Sequence, residues 1–381
     1  MRAERARALG LWATPVAVFV ASRVVVWLGI LFSGLLPHNP GLPADPPGAL
    51  SQLMHWDAAW YRSIAAGGYV WARDDPNANV IFFPLYPLVS RVLQTLTGLS
   101  LTASMILVSN SAFLAALVWL HRYLVRVFDR ETALWSILFL AFFPTSLFFS
   151  TGYPEALCLL LSVGTFACLE QDRPLAASAM AGLATATRSP MVILVLPILW
   201  HLVVKLRAAP RYLAYAAVCL LTSVGGLLAY MLYLWLRFGD PFVFVTGYEA
   251  WKAFNPVVAG PLDLLTLAAV ARDLRANLYT FTARTFDAIF LTLSLAAATW
   301  GLYRHRRPLF AYAWVLVLFS YFSHAHFSLV SMTRYLVLAF PVFIVAAEVL
   351  GAAAARAPVL ALLSALLFMH SALFAKWYWA G

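Results

Sequence analysis

The chain has 381 residues, 63% of them hydrophobic and 11% charged, where ordinary soluble domains carry about 25% charged residues. So few polar groups cannot clothe a soluble fold of this length. Together with the mean hydropathy of +0.82, they specify an all-α integral membrane protein with one membrane domain over 1–381. The net charge of +10 is scattered over segment ends rather than gathered in a stripe, which points to membrane topology and lipid head groups and excludes nucleic acid as a partner.

A spanning helix needs about 20 mostly apolar residues, and by that measure the chain holds about eleven segments. They run over 12–36, 101–125, 132–150, 155–170, 174–188, 190–205, 212–236, 286–303, 308–324, 334–350 and 357–377. The first follows MRAERARALG. Its apolar run is too long for a signal peptide, so a retained first span is expected. The pair 174–188 and 190–205 meets at Ser189-Pro190, where proline disfavours continuous helix. Two short helices in a shallow hairpin are expected there, with one kinked span as the alternative. Cys158, Cys168 and Cys219 sit inside apolar runs at no metal-type or redox-type spacing and read as small core residues.

Charge orients the bundle. With the N-terminus cytoplasmic, the inner loops hold Arg122, Arg126, Arg130, Arg173, Lys205, Arg207, Arg211, Arg304, Arg306, Arg307 and Arg356. Treating 174–205 as one span would put Arg304, Arg306 and Arg307 outside. The long segments 37–100 and 237–285 then face the extracytoplasmic side of a cell membrane. In the first of these, 49–66 has helical spacing. Trp56 and Trp60 are expected to share one face, and Asp57 and Tyr61 another. Gly67-Gly68 is a helix stop, and a second amphipathic stretch runs to about Thr97. Both helices are too polar to span and are expected in the interface.

A carboxylate on such a helix is costly unless something needs it, so Asp57 is the candidate catalytic group. Arg334, at the outer end of a span, and Arg188, at the apex of the 174–205 pair, are candidate cations for an anionic substrate. Arg23, in the middle of the first span, is expected to pair with a buried polar group. Glu155 opens a helix and serves either as a cap or in orienting an acceptor or holding a cation. His55 points to another face than Asp57. His324 and His326 lie together at an outer span end with no HxxxH spacing to a nearby acid, so no metal site is expected; a hydrogen bond to sugar or phosphate is. Trp56, Trp60, Tyr61, Tyr69, Phe82, Phe83 and Tyr86 suit sugar stacking, a prenyl groove or an interface belt.

WDAAWYRSIAAGGY (56–69) followed by FFPLYPLVSRVL (82–93) resembles the first outer loop of the PIG-V mannosyltransferase family, within the GT-C class of membrane glycosyltransferases. GYPEALCLLL (152–161), AGLATATRSP (181–190), FGDPF (238–242) and TRYLVLAFPVF (333–343) extend the likeness in order along the chain. Pro154 stands where relatives often carry serine or threonine, and 320–332 matches no family motif. The resemblance implies a GT-C-like helical bundle. It implies a polyprenyl-phosphate sugar donor, mannose above all, a glycolipid or glycan hydroxyl acceptor on the outer side, and no cofactor. Asp57 is then the general base of an inverting transfer, and Arg334 and Arg188 receive the donor phosphate. His55, Trp56, Trp60, Tyr61, Tyr86, Glu155, His324 and His326 are the substrate-binding candidates. The rival readings are a lipid or glycolipid transporter, which needs broken helices in two related halves, and a non-catalytic scaffold.

Overall fold

The computed structural model describes residues 2–44, 48–72, 75, 78–254, 271, 275, 286–324 and 332–380. Among them every regular element is a helix. Most of the long segment 237–285 and His326 lie outside the described residues. The helices are α1 (Arg2–Phe32), α2 (Ala49–Gln52), α3 (Asp57–Gly67), α4 (Leu85–Thr97), α5 (Leu101–Val127), α6 (Arg130–Phe142), α7 (Glu155–Glu170), α8 (Pro174–Thr185), α9 (Val195–Ala208), α10 (Leu213–Ser223), α11 (Gly225–Phe238), α12 (Val243–Phe254), α13 (Asp287–His305), α14 (Pro308–His324), α15 (Met332–Leu336), α16 (Pro341–Val349) and α17 (Ala353–Phe374).

Each expected apolar segment is occupied by helix, but the helices are unequal. Among the described residues, Gly10–Leu35, Leu101–Val127, Ser189–Ala208 and Ala353–Phe374 are by themselves long and apolar enough to cross a membrane. The run 212–236 is not one straight span, because α10 and α11 meet at a bend of 57°. Segment 132–150 ends as α-helix at Phe142, and Pro144 opens a 3-10 turn to Phe149. Segment 334–350 divides into α15 and α16, with Pro341 starting the second helix. In each of the last two, proline removes a donor and forces the restart. At 174–205, α8 ends at Thr185 and a new element starts at Ser189. With 12 residues, α8 is about 18 Å long, well short of a hydrocarbon core of about 30 Å. The multi-pass helical membrane architecture stands, with short and broken elements where uniform spans were expected.

The main core takes residues from α1 to α17 and is rich in Phe, Leu and Ala, while Tyr230 and Leu234 of α11 and Val243 of α12 form a second cluster with Val80 and Phe83. Arg23 is buried in it and its guanidinium is fully engaged by neutral groups. Nη1 donates to Ser146 O at 2.9 Å and Ser150 Oγ at 3.0 Å, and Nη2 to Ala141 O at 3.2 Å and Ser146 Oγ at 3.0 Å. These acceptors exist because α6 stops at Phe142 and the chain turns back. Cys158, Cys168 and Cys219 are buried and free. Charge pairs also tie helices at the end of the bundle opposite α3: Arg356 with Glu131, His305 with Glu348 at 2.8 Å, and Lys205 with Asp172 at 2.5 Å.

α1 and α17 approach closely. A Cβ on Gly29 would sit 2.5 Å from Phe368 O and 2.8 Å from Ser371 Cβ. The end of α17 in turn anchors the first loop, since Asn39 N donates to Lys376 O at 3.1 Å and Asn39 Nδ2 to Trp377 O at 2.9 Å. Gly29→Leu is therefore expected to separate α1 from α17 at a cost of about 1–3 kcal/mol. A lowered thermal midpoint in detergent, against an unchanged one for the uncrowded Gly10→Leu, is the measurement that checks this.

Candidate active site

The helix expected over 49–66 is interrupted. Gln52 ends α2, and Trp56 takes φ 56°, ψ −126°, so that Asp57 becomes the first residue of α3. A tryptophan at positive φ is an outlier costing about 1–3 kcal/mol, tolerated where the surroundings over-determine it. They do so here. Trp56 packs edge-on against Trp377 and Trp379, at ring centroid distances of 5.8 and 5.6 Å. His55 stacks on Trp377 at 3.9 Å, and its Nδ1 lies 3.0 Å from Phe374 O. Tyr153 hydroxyl donates to His55 O at 3.1 Å and accepts from Asp57 N–H at 3.0 Å. Burial holds the Tyr153 phenol far above its ordinary range, so it is a neutral donor at all working pH. The loop is thus clamped by GYPEA on one side and by the C-terminal tail on the other.

The clamp presents Asp57 to a chain of alternating charge. Arg334 Nη1 donates to Asp57 Oδ2 at 2.7 Å, and Arg334 Nε lies 3.2 Å from Glu155 Oε1. The same Glu155 oxygen pairs with Arg188, whose Nη2 donates to Tyr335 hydroxyl at 2.8 Å. The side chains of Asp57, Arg334, Glu155 and Arg188 are 20%, 5%, 0% and 11% exposed. Two carboxylates and two guanidinia neutralise each other, which is what permits such burial. Aromatic faces complete the enclosure. Arg188 lies 4.4 Å from the Tyr335 ring centroid, and Arg334 lies 5.3 Å from those of Tyr153 and Trp379.

Each arm comes from a break in a helix. Asp57 follows the Trp56 turn. Arg188 sits in extended backbone between α8 and the Ser189–Leu194 turn, which Pro190 helps to start. Glu155 is the first residue of α7, with its carboxylate turned to the arginines rather than to a cap. Arg334 is in the five-residue α15. Its neighbour Thr333 donates to buried Asp287 Oδ1 at 2.6 Å and accepts at its carbonyl from Thr145 at 2.9 Å.

The four charged candidates expected from separate segments are therefore brought together. Tyr61 is buried beside them; burial pushes its hydroxyl well above the ordinary range, and Arg188, Glu155, Asp57 and Arg334 all act on it electrostatically. The other candidates have partners within the fold. Trp56 and Trp60 do not share a face, because Trp56 is outside the helix; Trp60 stacks on Phe82 at 5.8 Å. The imidazole of His55 is engaged with the C-terminal tail. Tyr86 is fully buried, its hydroxyl donating to Met105 O at 2.9 Å, beside Ser109 Oγ at 2.9 Å. Tyr69 and Phe83 pack on Tyr230 of α11. His324 closes α14. Sequence reasoning missed Tyr153 and Tyr335, although both lie in the quoted stretches GYPEA and TRYLVLAFPVF, next to the charges they hold. It also missed Asp287, Tyr248, which hydrogen-bonds Tyr335, and the C-terminal tryptophans, for which no local signal exists.

A family model described as Mannosyltransferase (PIG-V) matches residues 46–237, a range that includes Asp57, Glu155 and Arg188 but not Arg334. The Homo sapiens GPI alpha-1,6-mannosyltransferase 2 is 28% identical over an alignment of 194 positions that covers 45% of this chain and 38% of that protein. Among solved structures, an Archaeoglobus fulgidus oligosaccharyltransferase in complex with zinc and sulfate aligns at TM-score 0.48 and 13% identity, over 94% of this chain and 53% of that one. ArnT from Cupriavidus metallidurans bound to undecaprenyl phosphate aligns at TM-score 0.49 and 18% identity, over 88% of this chain and 60% of that one. The alignments thus reach less than two thirds of each of these proteins.

Removing one member of a buried ion chain leaves its partners uncompensated, at a cost of about 3–5 kcal/mol. Arg334→Gln is expected to destabilise by that order. Glu155→Gln combined with it is expected to cost clearly less than the sum of the two single changes. Denaturant unfolding of the four proteins in one detergent measures the coupling, and additive costs would contradict the shared network.

Proposed function

The chain belongs to the mannosyltransferase (PIG-V) family, and from that premise we propose that it is an inverting membrane glycosyltransferase. It moves a hexosyl unit, mannosyl by the family's name, from a polyprenyl-phosphate sugar to the hydroxyl of a glycolipid or glycan on the extracytoplasmic side. The observation that carries this reading is the Asp57–Arg334–Glu155–Arg188 chain at the start of α3. It sets a carboxylate able to accept a proton beside cations suited to an anionic leaving group.

The reaction needs both. As the acceptor oxygen attacks the anomeric carbon, its proton passes to the Asp57 carboxylate. The bond from that carbon to the phosphate oxygen breaks, and its electron pair leaves with the polyprenyl phosphate. The phosphate gains one negative charge in doing so. Guanidinium groups fixed beside it stabilise that growth more in a water-poor site than in bulk water. Glu155 supplies the fixing, because its one oxygen holds both Arg334 and Arg188. Attack and departure on opposite faces of the sugar invert its configuration.

The contact between Asp57 and Arg334 at 2.7 Å adds a requirement. In an in-line displacement the base and the leaving oxygen lie on opposite sides of the sugar carbon, so one guanidinium nitrogen cannot serve both. The donor phosphate must draw Arg334 from Asp57, and in doing so it frees the carboxylate oxygen for the acceptor hydroxyl. Donor binding then prepares the base. Arg188, which Glu155 keeps on the far side of Arg334, meets the phosphate without disturbing Asp57.

Asp57→Asn is expected to lower transfer from labelled polyprenyl-phosphate mannose by about 10²–10⁴-fold. The same variant is expected to bind polyprenyl phosphate as tightly as the unaltered protein or more tightly, since Arg334 loses a competing anion. Retained transfer would remove Asp57 as base. Weakened phosphate binding would show that Asp57 and the phosphate do not compete for Arg334.

A further inference from the structure

A cavity of about 190 Å³ lies at the end of the bundle opposite Asp57, between the last turns of α5 and α7. Trp119, Arg122, Tyr123 and Arg126 line it from α5, and Glu170 and Gln171 from the end of α7. Tyr123 is buried at its back, while Arg126, Glu170 and Gln171 form an exposed rim. Among the described residues, neither Arg122 nor Arg126 has a carboxylate within ion-pair distance. Elsewhere at this end Arg356, Lys205 and His305 each have one, while Arg130, Arg173, Arg304 and Arg307 likewise have none among the described residues, so it is the cavity and not the missing partner that sets Arg122 and Arg126 apart.

The wall of this cavity is built rather than incidental. Arg122 lies 4.9 Å from the ring centroid of Trp12, a residue of α1 that is 54% exposed on the apolar flank of the bundle. The indole face holds the guanidinium at the membrane boundary instead of leaving it to extend into water. Trp119 packs over Gly164, where a Cβ would stand 3.0 Å from the ring, so the glycine makes room for the second indole. Gln171 is fixed by a 3.0 Å bond from its Nε2 to Ala167 O, leaving its side-chain oxygen as an acceptor on the rim.

We infer that this cavity binds the headgroup of an anionic, hydroxyl-bearing phospholipid. The two unpaired guanidinia supply donors for a phosphodiester, and Arg does so with more geometric specificity than a point charge. The Glu170 carboxylate and Gln171 oxygen accept hydrogen bonds from headgroup hydroxyls, which a bare phosphate does not offer. Trp12 places the entrance beside lipid, where indoles are favoured. A basic pocket between helices on the positively charged side is the arrangement in which such headgroups are held. The site is separate from the charge chain at Asp57 and does not depend on the transfer reaction.

Native mass spectrometry of the full chain in mild detergent tests this by titration with phosphatidylglycerol, phosphatidic acid, phosphatidylcholine and soluble glycerol 3-phosphate. Phosphatidylglycerol is expected to bind at least roughly ten-fold more tightly than phosphatidylcholine, the scale of one charge-assisted contact. Arg122→Gln with Arg126→Gln is expected to abolish that difference, while Arg122→Lys keeps part of it. Glu170→Gln is expected to lower the preference for phosphatidylglycerol over phosphatidic acid. Equal binding of phosphatidylglycerol and phosphatidylcholine by the unaltered protein overturns the inference, even if the double variant fails to fold. So does an undiminished difference in a folded double variant. Glycerol 3-phosphate binding as tightly as the lipid would make the ligand a soluble phosphate and overturn the lipid assignment.

Discussion

Charge neutralisation inside an apolar bundle is the constraint from which the rest of this structure follows. A lone carboxylate or guanidinium at such depth is prohibitively costly, while an alternating chain with well-placed donors is tolerated. Asp57, Arg334, Glu155 and Arg188 meet that condition only together. Their backbones must end at one place, and a regular helix cannot bring all of them there. The Trp56 turn, the Pro190 break, the start of α7 and the short α15 are the departures that do it. Irregular backbone is permitted within a membrane protein where it is buried in protein or lines a cavity, and these breaks cluster at the site.

Hydrogen bonding by neutral groups, rather than neutralisation, supports the flank of the site. Arg23 is held without any acid, by carbonyls and hydroxyls that the early end of α6 exposes. That interaction ties α1 to the turn leading to Tyr153, and Tyr153 holds the Asp57 loop. On the other flank, Gly29 lets α1 and α17 touch, so the tail after α17 reaches His55 and Trp56. The strain at Trp56 is thus borne by packing that begins far from the carboxylate. The pairing of Asp57 with Arg334 also gives this part of the bundle a neutral interior.

Much of this was legible residue by residue. Asp57, Glu155, Arg188 and Arg334 stand out because each is charged in a chain that is otherwise nearly all apolar, and Glu155 and Arg188 also lie within two residues of Pro154 and Pro190. Helix stops at Gly67-Gly68 and after Thr97 were readable from glycine, and both appear. What misled the reading was periodicity near the site. The spacing of 49–66 fits a helix, yet the stacking of His55 and Trp56 on the C-terminal tail overrides local preference and opens the helix at Trp56. Tyr86 is fully buried with its hydroxyl on Met105 O, a placement that sequence could not give, because amphipathic aromatics look alike until their hydroxyl partners are known.

Composition and hydropathy by themselves determined that this is a multi-pass helical membrane protein, since long continuous apolar runs fit helices that satisfy their own backbone in lipid, where the strands of a barrel would alternate. Isolated charges in an apolar chain determined which residues are candidates for its chemistry. Only the tertiary structure decided that these charges touch. Asp57 and Arg334 are 277 residues apart, and pairing across such a distance depends on how helices pack and where they break, which local sequence does not encode.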